Sequence, residues 1–322
     1  MSLASETRFS ATELPTWPAP RMTIRTRNLP VVQPCRRRRL PKVGHCIPEV
    51  MCDPRRQGRP QTGGRDGVWH NSQGKNGPKP LTRIYFPDSI PDHGSCELAP
   101  AQAHHVAHVL RLAEGDPLTL FDGRGTAYDA VITGMARNSV RVRVRGQRSE
   151  NRESPLPVTL VQAVSSGERM DFTVQKAVEL GVAAVQPVLS ERCVVRLAGE
   201  RAAKRVAHWR AVAVAACEQC GRNQVPTVHA LLPFAAWLAR VSADAGQCIL
   251  LAPGGETRLQ ALGRPSGQVT LLAGPEGGLT AAETADAVRA GFVALQLGPR
   301  ILRTETAALA ALAAMQVLWG DF

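Results

Sequence analysis

Near the carboxyl end of this 322-residue chain, two apolar runs each break into a glycine- and proline-rich loop that leads into a helix start. Leu272-Ala273 runs into Gly274-Pro275-Glu276-Gly277-Gly278-Leu279-Thr280, and some twenty residues later Leu297 runs into Gly298-Pro299-Arg300-Ile301-Leu302-Arg303-Thr304-Glu305-Thr306-Ala307. Units of strand, tight loop and helix belong to open α/β sheets, which bind ligands beyond the carboxyl ends of their strands. Polar loops are also where function tends to sit. Thr280, with Glu283 three residues on, is a capping box, and Gly291 is the matching stop. The first loop therefore opens onto a helix N-terminus.

The pattern upstream agrees. Runs 158–164, 183–189, 248–252, 269–273 and 292–297 read as strands, and 171–180, 201–220, 280–290 and 304–318 as helices closed by glycines such as Gly181 and Gly221. Strands spaced by helices predict a mostly parallel sheet covered on both faces. Before a polar link at 147–155, the period changes. Runs 83–86, 117–121, 127–132 and 139–144 are short and strand-like, with one short helix at 104–112, which predicts a small β-barrel. In the last run Val140, Val142 and Val144 alternate with Arg141, Arg143 and Arg145. Period 2 places a valine face inside and an arginine stripe outside. That stripe is either a soluble outer face or a phosphate-tracking surface.

The formal net charge of +12 is unevenly spread. Residues 1–80 hold 15 Lys/Arg against 5 Asp/Glu and 11 of the 24 prolines, whereas 81–322 hold 24 against 22. A segment so basic, proline-rich and poor in apolar periodicity cannot offset its ordering entropy, so 1–80 is expected to be disordered or an over-extended gene start. A transit peptide and a nucleic-acid-binding arm are the alternatives. Cysteines scattered through the chain fit a reducing compartment. Cys217-Glu218-Gln219-Cys220 has C-x-x-C spacing, but it ends an Ala-rich helical run and has no second pair, which favours a structural role over zinc or redox chemistry. No run reaches the roughly 20 apolar residues of a membrane helix, and a cytoplasmic protein is expected.

A glycine loop before a helix suggests phosphate first. Here G-x-x-x-x-G-K-[ST] and G-x-G-x-x-G are both absent, and Glu276 would repel a polyphosphate. A small loop with free backbone groups and one carboxylate better suits an adenosine held through backbone amides beside a sulfonium.

Five motifs occur together and in order: Gln175-Lys176-Ala177-Val178-Glu179-Leu180-Gly181, Ser190-Glu191-Arg192-Cys193, Glu218-Gln219-Cys220-Gly221-Arg222 and the two loops above. With the opening Arg83-Ile84-Tyr85-Phe86 and Leu120-Phe121-Asp122-Gly123, they resemble the 16S ribosomal RNA uracil-N3 methyltransferases of the SPOUT superfamily over about residues 81–320. The resemblance implies an α/β SPOUT methyltransferase domain with a C-terminal trefoil knot at 156–322, preceded by a small PUA-like β-barrel RNA-binding domain at 81–150. It implies S-adenosyl-L-methionine (SAM) as cofactor, no metal, no membrane, a homodimer, and 16S ribosomal RNA of the small subunit as target. The cofactor would be held by Leu251, Ala252, Gly274, Pro275, Gly277, Gly278, Leu297, Gly298, Ile301, Leu302 and Arg303. Gly254-Gly255 follows the first of these segments, where relatives vary.

Methyl transfer to uracil N3 requires loss of the N3 proton, positioning of two reactants, and a cation or N–H donor for charge building on the uracil oxygens. Arg303 is the expected cation; Glu305 either holds Arg303 or accepts a proton. A plain ion pair at a helix start is the duller alternative for both. Arg83, Arg141, Arg143, Arg169 and Arg222 are the expected RNA contacts, with Glu218 and Gln219 candidates for the RNA or a second subunit. His104, His105 and His108 lack metal partners and read as structural. The same chemistry on another RNA or base atom, and a non-catalytic ribosome-binding factor, remain alternatives.

Overall fold

The computed structural model describes residues 82–241 and 246–322, and the reading of 1–80 lies outside the described residues. The first five strands are β1 (Thr82–Tyr85), β2 (Gly94–Leu98), β3 (Pro117–Phe121), β4 (Ala127–Ala136) and β5 (Ser139–Arg148). They form one sheet in the order β1-β3-β4-β5-β2. Along β5 the three valines are buried and Arg141, Arg143 and Arg145 are exposed, as period 2 requires. β2 is an addition to the sequence expectation. Only Leu98 of Gly-Ser-Cys-Glu-Leu is buried, so no apolar alternation marks it, and its pairing with β5 places Glu97 opposite Arg141. The helix expected at 104–112 begins earlier, as α1 (Pro100–His104) and one π turn (His105–Val109), and ends where Arg111 takes a left-handed φ of 52°.

The second sheet begins with β6 (Val158–Ala163), α2 (Glu168–Glu179), β7 (Ala184–Leu189), α3 (Gly199–Cys220), β8 (Thr227–Val228), β9 (Leu232–Pro233) and α4 (Phe234–Leu238). It continues with β10 (Gln247–Leu251), β11 (Val269–Ala273), α5 (Ala281–Arg289), β12 (Val293–Leu295) and α6 (Thr304–Trp319). Every pairing in it is parallel, in the order β12-β10-β11-β6-β7-β8, with β9 also on β7. Buried on both faces, its strands read as near-continuous apolar runs. Trp209 of α3 is fully buried, and its indole N–H donates to Asp171 Oδ1 at 3.1 Å. The other Asp171 oxygen lies 2.7 Å from His208 Nε2, so one carboxylate ties α3 to the start of α2. Burying a side chain of this size is worth about 3 kcal/mol.

The two sheets meet at a polar joint. Arg222 is 5% exposed; its guanidinium donates to Glu153 Oε2 (2.7 Å) and to the carbonyls of Val178 (3.0 Å) and Val182 (2.9 Å). The other Glu153 oxygen accepts the N–H groups of Asn223 and Gln224, each at 3.0 Å. From the first sheet, Arg83 donates to the Arg222 carbonyl (3.0 Å) and to Asn223 Oδ1 (2.6 Å) and lies over the Phe121 ring. Burial first, then the neighbouring Arg152, lowers the pKa of the Arg83 guanidinium. Glu218 accepts the Tyr85 N–H at 3.0 Å, and burial pushes its carboxyl up despite that bond. These contacts tie Arg83, Arg222 and Glu218 into the protein's own joint, where the sequence alone suggests RNA contacts, and leave Arg83 Nε buried without a partner. Cys217 beside them is buried and its thiol is pushed up to about 12, chiefly by burial, which leaves it unreactive.

Candidate cofactor and RNA site

The loops after β10, β11 and β12 leave the same end of three neighbouring strands and enclose a cleft of about 500 Å³. This size suits a nucleoside-sized ligand. Its floor is apolar, built by Leu250, Leu251, Ala252, Ala273 and Leu295. Gly274, Pro275, Gly277 and Gly278 border it from one loop, and Leu297, Gly298, Ile301, Leu302 and Arg303 from the other, with Glu305 at the start of α6. Every residue expected to hold the cofactor therefore lines a single cavity. Gly278 (φ +68°) and Gly298 (φ +70°) occupy left-handed backbone, which lets both loops turn sharply without a Cβ clash.

Backbone groups are available there. Among the described residues, the N–H groups of Gly298, Arg300, Ile301 and Leu302 have no partner within the protein. Loop donors that the fold leaves unpaired are what a purine edge can accept from. Ile301 is 87% exposed, an apolar side chain free to cover a ligand.

The loops are anchored by residues far away in sequence. Thr304 Oγ1 donates to the Gly274 carbonyl at 2.6 Å, and the buried Gln162 amide donates to Thr304 Oγ1 at 3.0 Å. This joins the end of β6, the first loop and the start of α6. Glu276 Oε1 accepts the Ser166 N–H and hydroxyl, both at 2.8 Å, and Arg169 Nη1 at 3.0 Å. Burial alone would raise the Glu276 carboxyl, but the Ser166 bonds and Arg169 outweigh it and hold it below the usual range. The carboxylate that sequence reading offered to a cationic ligand is thus already paired, at the start of α2. Arg192 donates to the Gly277 carbonyl at 3.1 Å. Gly255 lies against β12: a Cβ there would stand 2.7 Å from the Ala294 carbonyl oxygen, so this position has room for glycine alone. The capping box forms as expected, with Thr280 Oγ1 accepting from Glu283 N and Glu283 Oε2 from Thr280 N.

Arg303 and Glu305 both reach the cleft, yet no hydrogen bond or ion pair joins them. The Arg300 and Arg303 side chains have no hydrogen-bond or ion-pair partner among the described residues. Glu305 Oε2 is buried and equally unpaired, as are Gln162 Oε1 and Ser165 Oγ. Arg169 lies at the mouth, whereas Arg141 and Arg143 are exposed on the other sheet. Sequence reading missed Gln162 and Ser166, and it named Arg192 and Arg300 only as parts of their motifs, with no role. For Gln162 the available signal was a single polar side chain inside an apolar strand run. Among the described residues no group of three metal-ligating side chains occurs, and no helix is long and apolar enough to cross a membrane.

A family model described as an RNA methyltransferase domain matches residues 152–316, and one described as an RNA methyltransferase PUA domain matches 98–145. A ribosomal RNA small subunit methyltransferase E from Buchnera aphidicola (Schizaphis graminum) is 32% identical over 243 residues, 76% of this chain and 98% of the relative. Its namesake from Mycobacterium bovis is 34% identical, covering 74% and 92%. Among solved structures, a ribosomal RNA small subunit methyltransferase E from Neisseria gonorrhoeae bound to S-adenosyl methionine is 43% identical. It aligns with a TM-score of 0.71 over 75% of this chain and 99% of its own. A Legionella pneumophila protein in complex with SAM is 38% identical, with a TM-score of 0.73 over 76% and 100%. The apolar cleft, its unpaired loop amides and these similarities, which span nearly the whole of the relatives, agree, and the chain belongs to the ribosomal RNA small subunit methyltransferase E family.

Proposed function

We propose that this protein is a SAM-dependent enzyme that methylates N3 of a uridine in 16S ribosomal RNA of the small subunit. The observation that carries the reading is the cleft: apolar floor, unpaired backbone N–H groups at Gly298, Arg300, Ile301 and Leu302, and the side chains of Arg300, Arg303 and Glu305 unpaired along it. The residues present suit SAM. Leu251, Ala252, Gly274, Pro275, Gly277, Gly278, Leu297, Gly298, Ile301 and Leu302 would hold its nucleoside against apolar surface and loop amides. When bound, it supplies an electrophilic methyl carbon on a sulfonium.

The chain's own residues then divide the remaining work. Arg303, with no internal partner, faces the charge that builds on the uracil oxygens as N3 loses its proton. Glu305, whose Oε2 is buried and unpaired at the cleft, accepts that proton. The absence of a bond between them favours two separate roles over an ion pair. Gln162 and Thr304 keep the two loops in register, which preserves the geometry on which displacement depends.

The division into an RNA-binding domain at 81–150 and a catalytic domain at 156–322 is likewise our reading, supported by two separate sheets. Arg141, Arg143 and Arg169 remain the RNA contacts we propose. A trefoil knot is likewise our reading, and strand order supports it: β12 lies beyond β10, yet α6 packs on α2 and β11. Homodimerisation is supported by Val317, Leu318 and Phe322, exposed at the end of the chain. A cytoplasmic location is our reading too, and it follows from the proposed action on 16S ribosomal RNA of the small subunit. The test is mass spectrometry of 16S RNA from a deletion strain. Loss of one N3-methyluridine, restored by the wild-type gene, supports the reading, and an unchanged nucleoside profile overturns it.

A further inference from the structure

The cleft mouth carries four guanidinium groups, from Arg169, Arg192, Arg300 and Arg303. Its only carboxylates are Glu276, already paired with Arg169 and Ser166, and Glu305, with Oε2 buried. Arg300 has no hydrogen bond or ion pair among the described residues, and Arg192 spends only Nη1, on the Gly277 carbonyl. Apart from its single carboxylate, a cofactor that carries a sulfonium and an ammonium gains nothing from free arginines, since like charges 4 Å apart repel by about 1 kcal/mol in water and about 4 kcal/mol at a protein surface. Unpaired cations at such a mouth await an anion.

We propose that Arg300 and Arg192 clamp the phosphodiester backbone of the RNA next to the target nucleotide, leaving Arg303 for the base. This rests on the methyltransferase reading. Uracil N3 lies on the Watson–Crick edge, so the base must leave its stack and pair to reach the cleft, which brings its flanking phosphates to the mouth. Phosphate contacts fix register and supply affinity without reading sequence. Arg83 and Arg222 are consumed in the joint, and residues 81–322 carry almost balanced charge, so RNA affinity must come from local groups like these.

Four proteins test this: wild type, Arg300→Gln, Arg300→Lys and Arg192→Gln. SAM binding is measured by calorimetry, and affinity for unmethylated small ribosomal subunits is measured across a salt series. Arg300→Gln should leave SAM affinity unchanged, weaken subunit binding, and make the slope of log K against log salt shallower by about 0.7. Arg192→Gln should likewise weaken subunit binding, and Arg300→Lys should keep most of the slope. Because Arg300 is exposed and makes no internal bond, Arg300→Gln is the decisive variant. Weakened SAM binding with an unchanged salt slope would overturn the clamp and give Arg300 to the cofactor's carboxylate. No change in either measurement would overturn it as well. Failure of the methyltransferase reading shows separately, as wild-type protein that neither binds SAM nor methylates subunits.

Discussion

Two arginines each sit just beyond a glycine in this chain, Arg222 in Cys220-Gly221-Arg222 and Arg300 in Gly298-Pro299-Arg300, and the fold uses them in opposite ways. Arg222 is buried, with a carboxylate and two carbonyls satisfying its donors, and its neighbour Asn223 takes Arg83 from the other sheet. Arg300 is exposed at the mouth of the cleft with nothing to hold it. A guanidinium that is desolvated must be paired, because an uncompensated buried charge is strongly destabilising. One left unpaired at a mouth is available to a ligand. The joint is built for stability and the mouth for binding, although both read as glycine, arginine and a helix end.

The comparison can be broken most forcefully at the joint. Arg222→Ala should cost about 3 kcal/mol, since it leaves the half-buried Glu153 carboxylate and two buried carbonyls without their partner. Urea denaturation measures it; a near-neutral result together with weaker RNA binding would return Arg222 to the RNA surface. At the cleft the opposite signature is expected. Glu305→Gln and Arg303→Gln should keep the denaturation midpoint and SAM affinity while single-turnover methylation slows by about a hundredfold. Alkaline pH should partly restore Glu305→Gln, because N3 then loses its proton unaided. A parallel loss of stability in both variants would make them a structural pair.

Gly255→Val sharpens how the mouth is held. A side chain there must displace the Ala294 carbonyl, and overpacking of this kind costs about 1–3 kcal/mol. Weaker SAM binding should accompany the lower midpoint, and normal SAM affinity would separate that loop from the site. The smallest effect is expected at Glu276. Its folded-state pKa lies below the ordinary 4.5, so the stabilisation is complete above that value and disappears as pH falls through the lower folded one. With Arg169 partly exposed, screening limits the pair to about 1 kcal/mol or less. The stability gap between wild type and Glu276→Gln, followed by thermal melts from pH 7 downward, should close on acidification. A gap that widened would reverse the sign.

Much of the second sheet could be read from residue order, because its strands are apolar runs and its helices carry their own punctuation. The capping box of Thr280 and Glu283 and the glycine closing α3 are local devices, satisfied within four residues. β2, β8, β9 and α4 escaped because they are two to five residues long with mixed burial, so tertiary pairing rather than periodicity defines them. The two cleft loops were legible as glycine turns. Their supports were not, since Ser166 lies 110 residues from Glu276 and Gln162 142 from Thr304.

Composition and periodicity were enough to establish the order of the longer strands and helices, the valine and arginine faces of β5, and the place of the two glycine loops. Each of these depends on neighbours a few residues apart. Which arginines face solvent, which acid stays unpaired, and how three loops close on one cavity were settled by the folded arrangement alone. Those outcomes depend on desolvation and on partners drawn from distant strands, and a charge's surroundings, unlike its identity, are not written beside it in the chain.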